Sequence, residues 1–361
     1  MDSRIFTILH KNFFLFFESM TTKRLTLGFA TLLLSSALII GCKKEENVAP
    51  DPDTETSGAV EAAWATFQIT DIDMICSYLG ENLLYTSIYN DLKEAGNGTV
   101  TPIRDTNAKY LFLAFNQTKC VDGHFRDGTI VFNYSYVPGK FPNQSKSSKY
   151  YRDFGFAGEL TMSEYKVDGY KIRTTNGVPA IIYNKVSGAD YSPATENLKW
   201  YLDGSFEITD PNDTSKHMSI VVKLNKTLTN TSKPEVFKPN KTAAITWTNA
   251  ICAYDGTVTG KHFNGTAFTM TVSSESPITR DFTCFPESIS GVAATNTPGV
   301  FAPVKQEFHP FKTGIASYMP DKKYRQEIYF GNEGTPDLAA QCDNTGVVLI
   351  KGNSYQVNFR K

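Results

Sequence analysis

No two cysteines of this chain stand at C-x-x-C spacing, which removes the common zinc and thioredoxin-like readings. Histidine is scarce, with 5 in all, and His124, His217, His262 and His309 lie far apart with no H-E-x-x-H among them. Gly256-Thr257-Val258-Thr259-Gly260-Lys261 is one residue short of a phosphate loop, and His262 stands where a Ser or Thr would hold magnesium. Glu287-Ser288-Ile289-Ser290-Gly291 lacks the first glycine of a nucleophile elbow. An excess of one charge is missing too: 36 basic against 37 acidic residues leave a net charge of -1, so no global field draws in nucleic acid. The abundant aspartates are expected mostly in turns, where they bond their own backbone, and no two of them stand out as an acid/base pair. Neither a catalytic set, a cofactor nor a metal site is therefore expected from the sequence.

Long apolar runs are also absent, since a membrane span needs about 20 such residues. The Leu25 to Ile40 run is shorter and contains Thr26, Gly28, Thr31, Ser35 and Ser36. What surrounds that run is informative. Lys23 and Arg24 precede it, Leu38-Ile39-Ile40-Gly41-Cys42 closes it, and the polar Lys43-Lys44-Glu45-Glu46 follows at once. This order of positive, apolar and small-residue regions belongs to a secretory signal. Its end resembles the lipobox of bacterial lipoproteins, which implies cleavage before Cys42 and acylation of that cysteine. Met20 makes a better start than Met1, so 1-19 is expected to be an untranslated extension and 20-41 the signal peptide. Residues 42-58 hold Pro50, Pro52 and several acids with almost nothing apolar, and read as a flexible tether. Glu45-Glu46 resembles a surface-export signal of Bacteroidetes-type lipoproteins, and an ordinary solvated linker explains it equally well.

The remaining chain is long enough for a large core. Its 25 Phe and 18 Tyr, with many Thr, favour strands. A helical segment is expected over 59-95, capped by Thr56 or Ser57, with Val60, Trp64, Phe67 and Ile75 forming one apolar stripe to pack on a sheet. No basic residue occurs between Val60 and Asn90, which argues against a membrane-surface helix. Beyond it, alternating segments are divided by Asp122-Gly123, Asp127-Gly128, Asp168-Gly169, Asn176-Gly177, Asp203-Gly204, Asp255-Gly256 and Asn264-Gly265, pairs that favour tight hairpins. The fold class is all-β: an antiparallel meander forming a sandwich or an open or flattened barrel, with one N-terminal helix. A first β-rich half over 96-226, a linker over 227-240 and a second half over 241-361 are expected. Gly123 to Thr129 is echoed by Gly260 to Thr266, so the halves are either similar by duplication or merely share a common turn.

Several stretches are similar to a family. They are Cys120-Val121-Asp122-Gly123-His124-Phe125-Arg126-Asp127-Gly128-Thr129-Ile130-Val131, Tyr150 to Asp153, Tyr165 to Gly169, Phe282-Thr283-Cys284, Phe330 to Gly334 and the run from Cys342-Asp343-Asn344 to Tyr355. They resemble uncharacterised Bacteroidetes-type cell-envelope lipoproteins, which implies a β-rich protein of the envelope, outer membrane included, and supplies no activity. Cys284 and Cys342 lie in these stretches beside apparent strands, and an exported chain allows a disulfide between them. Cys76 and Cys120 would be the next pair, with Cys252 left over, the competing reading being that cysteines pack as small core residues. The expected function is a membrane-anchored binding or scaffolding module, its partners being the membrane through the lipid anchor and a glycan or an envelope protein, not nucleic acid. A glycan platform could include Trp200 and Tyr201. A hydrolase with a dispersed site is the alternative, to be recognised by a carboxylate, a histidine and a hydroxyl brought together. A lipid carrier would need a large apolar concavity.

Overall fold

The computed structural model describes residues 55–81, 98–105, 110–120, 124–133, 156–184, 199–230, 250–281, 311–331 and 345–359. Cys42, Cys284 and Cys342 lie outside them, as do the signal-peptide and tether stretches before Glu55. The described residues form one α-helix, α1 (Ser57–Glu81), and a 15-stranded antiparallel sheet. Its strands are β1 (Thr99–Asp105), β2 (Tyr110–Lys119), β3 (Phe125–Asn133), β4 (Ala157–Val167), β5 (Tyr170–Thr174), β6 (Ala180–Asn184), β7 (Lys199–Thr209) and β8 (His217–Asn230). The later ones are β9 (Ala250–Lys261), β10 (Ala267–Val272), β11 (Ile278–Asp281), β12 (Gly314–Pro320), β13 (Gln326–Phe330), β14 (Thr345–Ile350) and β15 (Asn353–Asn358).

The meander expected from the turn pairs is the observed topology: each strand pairs with its neighbour in sequence, apart from two broken strands. β5 and β6 together lie between β4 and β7, parted by a 3-10 turn at Thr175–Gly177 where Asn176 has φ of 54°. β10 and β11 likewise share β9 as neighbour, one on each half of its length. The expected linker at 227-240 begins inside a strand, because β8 continues to Asn230 and pairs with β9 from Ser219↔Lys261 to Asn230↔Ala250. The two expected halves are thus parts of one continuous sheet. Their echoing segments occupy different places: Phe125 to Thr129 enters β3 and carries a bulge at Gly128, whereas Phe263 to Thr266 is the turn between β9 and β10. The echoing residues therefore do not form equivalent turns.

Alternation along the strands puts Phe206, Ile208, Ile220, Val222, Leu224, Tyr254, Val258, Phe268 and Met270 inside and leaves Thr257, Thr259, Thr269 and Thr271 on the outer face. What the inner face packs against is α1. Its apolar positions form more than one stripe, for every residue from Ala62 to Ser77 is buried. A flat sheet can cover one side of a helix; this one covers opposite sides. Asp71 and Asp73 are about 200° apart around the helix, and each meets a basic side chain from a different part of the sheet. The concave side of the sheet is therefore filled by the helix. Thr66, Thr70 and Ser77 are tolerated there because each hydroxyl donates back to a carbonyl of the preceding turn, those of Ala62, Phe67 and Asp73.

Candidate functional site

The chemistry-bearing side chains converge on α1 in two groups. The first is a buried seam in its middle. Asp71 accepts from Arg126 of β3 at 2.6 Å and from Arg280 of β11 at 3.1 Å. On the other side, both carboxylate oxygens of Asp73 accept from Lys226 Nζ of β8, at 2.8 and 2.7 Å, and Oδ2 also accepts from the Tyr254 hydroxyl of β9 at 2.9 Å. Lys226 donates as well to Ser77 Oγ at 2.6 Å, and its ammonium stands 5.7 Å from the Trp200 ring centroid. Lys226 is 1% and Asp73 0% exposed. Burial, followed by the Asp73 charge, pushes the Tyr254 phenol well above its ordinary range. Such charges are kept in a core only when paired and hydrogen-bonded, and here they are.

The second group lies at the start of α1, where several turns meet. Thr56 accepts the first helical bond, from Val60 N at 3.0 Å, and Glu55 Oε1 accepts from Ser57 N at 2.8 Å, so Thr56 is the N-cap position and the helix begins inside the expected tether. Next to this start, buried His262 has Nε2 2.7 Å from the Tyr318 hydroxyl and Nδ1 3.7 Å from Glu61 Oε2, while Glu61 Oε1 accepts from Phe263 N at 3.2 Å. Gly58 makes this approach possible: a Cβ there would lie 2.4 Å from the Tyr318 hydroxyl. His124 Nδ1 is 2.5 Å from Asp168 Oδ2, and Asp168 Oδ1 accepts from Phe125 N. Burial pushes the Asp168 carboxyl upward, yet the hydrogen bond and charge of His124 outweigh it and hold the group below the usual carboxylate range. Tyr170 packs edge-on to Trp64 with centroids 4.7 Å apart, and its phenol is raised by burial and then by the charges of Asp210, Glu61 and Asp168.

A carboxylate, an imidazole and a hydroxyl are therefore in sequence at Glu61, His262 and Tyr318, the signature that would favour a hydrolase. Its hydroxyl is poorly suited to attack: burial and then the charges of Glu61 and Glu55 push the Tyr318 phenol up and keep it protonated. No group of three or more His, Cys, Asp or Glu side chains that could hold a metal ion occurs among the described residues.

The residues singled out by sequence fall in several places. Trp200 belongs to the core at 0% exposure and cannot be part of a surface platform. Tyr201, next in β7, faces outward and stacks on Tyr183 of β6 with centroids 4.9 Å apart and an 18° interplanar angle. Cys76, Cys120 and Cys252 are all buried, and the disulfide expected between Cys76 and Cys120 is not formed. The physical reason is the helix between them: Cys76 is on the Asp73 and Lys226 side of α1, whereas Cys120, just after β2, lies near Tyr165 and the Arg126 side. Burial pushes the Cys76 thiol far up and that of Cys252 to about 12. Of the disulfide candidates Cys284 and Cys342 and of the lipid-attachment residue Cys42 nothing further is described.

Asp71, Asp73, Arg126, Lys226, Tyr254 and Arg280 were not singled out from the sequence, although a signal exists. α1 carries acids with no base in reach along the helix, and Lys226 occupies the same strand phase as Ile220, Val222, Leu224 and Leu228. A lone cation in the apolar phase of a strand and lone acids in a buried helix need one another. No family model matches this chain, and neither a curated protein nor a solved structure does.

Proposed function

We propose that this chain is a lipid-anchored binding module of the cell envelope, held through Cys42, whose recognition surface is the outer face of the sheet around Tyr183 and Tyr201 rather than its interior. The observation that carries this reading is the row those residues begin. Tyr183, Tyr201, Asn225 and Asp255 are directly opposed on β6, β7, β8 and β9, with the Asn225 amide donating to Asp255 at 2.6 Å. Apolar ring edges beside an amide and a carboxylate suit a glycan, whose C–H faces meet aromatics while its hydroxyls bond polar groups. By contrast, the inward-facing charges are engaged with one another across α1, and α1 occupies the concavity that a lipid carrier would need.

Two measurements test the reading. Cys42→Ser should move the protein from the membrane into a soluble fraction, because each buried acyl methylene contributes about 0.8 kcal/mol; unchanged detergent partitioning would refute the anchor. The chain from Glu55 onward should be retained on an array of envelope polysaccharides, with retention reduced about tenfold by Tyr201→Ala and kept by Tyr201→Phe. Equal behaviour of wild type and Tyr201→Ala would refute the surface.

A further inference from the structure

We propose that Lys226 and Asp73 become joined by an intramolecular amide bond, an isopeptide cross-link between strand β8 and helix α1. The two side chains meet head to head, Nζ lying 2.7 and 2.8 Å from the two carboxylate oxygens. Both are essentially sealed from water, at 1% and 0% exposure, with Trp200, Cys76 and Cys252 also buried around them. An ammonium and a carboxylate in water do not condense, because both are charged and the amine has no free lone pair. Proton transfer within the pair changes both conditions. The direct hydrogen bonds from Nζ to both carboxylate oxygens give the proton a path from nitrogen to carboxyl, the step that must precede attack and that leaves an amine facing a carboxylic acid. Holding the two partners in place supplies the effective concentration, on the order of 10⁵ M or more for well-oriented groups.

The neighbouring groups have the placement such a reaction needs. Tyr254 donates to Asp73 Oδ2 at 2.9 Å and can polarise the carboxyl group; its phenol, held protonated by burial and by Asp73, stays a donor. Ser77 Oγ accepts from Nζ at 2.6 Å while its own hydrogen goes to the Asp73 carbonyl, so it orients the amine toward the carboxyl group. The lone pair of Nζ attacks Asp73 Cγ and forms the C–N bond. The tetrahedral intermediate then breaks its C–OH bond, and that oxygen leaves as water with the proton it gained and one from nitrogen. One ammonium and one carboxylate give one amide and one water, with no oxidant, metal or nucleotide required. The same chemistry separates this pair from Asp71 and its arginines, since a guanidinium keeps its proton in proteins and is no nucleophile.

Intact mass spectrometry of the folded chain tests the cross-link directly. The expected result is a mass lower than the sequence by one water, together with a protease fragment that contains both Asp73 and Lys226 and no tryptic cleavage after Lys226. The joined fragment excludes loss of water within the Asp73-Met74 segment alone. Asp73→Ala and Lys226→Met should each restore the full sequence mass, and Tyr254→Phe should leave a mixture whose cross-linked share grows with time. A wild-type mass equal to that of the sequence, with the two residues recovered in separate linear peptides, would overturn the proposal and leave an ion pair. Because the mass and the fragments of the wild-type protein are enough to separate amide from ion pair, a variant that fails to fold does not blunt the test.

Discussion

At the scale of single residues, the buried charges act by mutual dependence rather than by number. Asp71 holds two guanidiniums, and Arg126 is only 3% exposed at its side chain, so Asp71→Ala would leave a cation in the core with its main partner gone. A loss of about 3–5 kcal/mol is expected from urea or guanidinium denaturation. Asp168 behaves differently, being half exposed and paired with His124. Its carboxyl is depressed in the folded chain, so between the unfolded and folded values the unfolded chain binds more protons and stability falls as pH falls. The stability gap between wild type and Asp168→Asn should be full above about pH 4, near the ordinary aspartate value, and close as the solution is acidified further. Denaturation midpoints of both chains from pH 7 to 3 would show it, and a gap independent of pH would contradict the pairing. None of these partnerships was readable in order along the chain, because Asp71 and Arg280 are 209 residues apart and Asp73 and Lys226 are 153 apart. What could be read was need: a helix with acids but no bases, and a lysine in the apolar phase of β8.

Among elements, glycine pairs that look alike in sequence do unlike work. Asn264-Gly265 makes the β9–β10 turn and Asp168-Gly169 the β4–β5 turn, as alternation and turn chemistry lead one to expect. Asp255-Gly256 instead lies within β9, with Gly256 at φ of 129° and a hypothetical Cβ 2.2 Å from the Lys223 carbonyl oxygen of the neighbouring strand. Gly256→Ala should therefore cost roughly 3 kcal/mol or more, from a backbone region reserved for glycine and a forced shift of β8. Gly265→Ala, with positive φ but nothing near its absent Cβ, should cost only about 1 kcal/mol. Thermal melts of the two variants separate these roles. The strands, their antiparallel order and the helix over its first turns were legible because they rest on local periodicity. Whether a glycine turns the chain or lets a neighbouring strand close in depends on that strand, which the local sequence does not contain. The helix held the same lesson: Val60, Trp64, Phe67 and Ile75 implied one buried side, and the other sides became buried because the sheet curls round them.

For the whole molecule, the contacts of α1 set the order of assembly. Gln326 of β13 donates to the Glu55 carbonyl across 271 residues, and Tyr318 of β12 closes on His262 beside Gly58. With so many pairings between distant parts of the chain, refolding from denaturant should be slow, on the millisecond-to-second scale of non-local β topologies or slower. A chain ended at residue 281 lacks β12 to β15, and hydrogen exchange should find the amides of α1 unprotected in it; protection equal to that of the full chain would contradict this dependence. A ribosome delivers the helix first and the strands that enclose it last. For most of its synthesis the segment from Ser57 to Glu81 is thus a tenant whose house has not been built, with Asp71 and Asp73 still hydrated and waiting for cations yet to be made. The burial of α1 is therefore expected to be completed late, once β12 to β15 have been made.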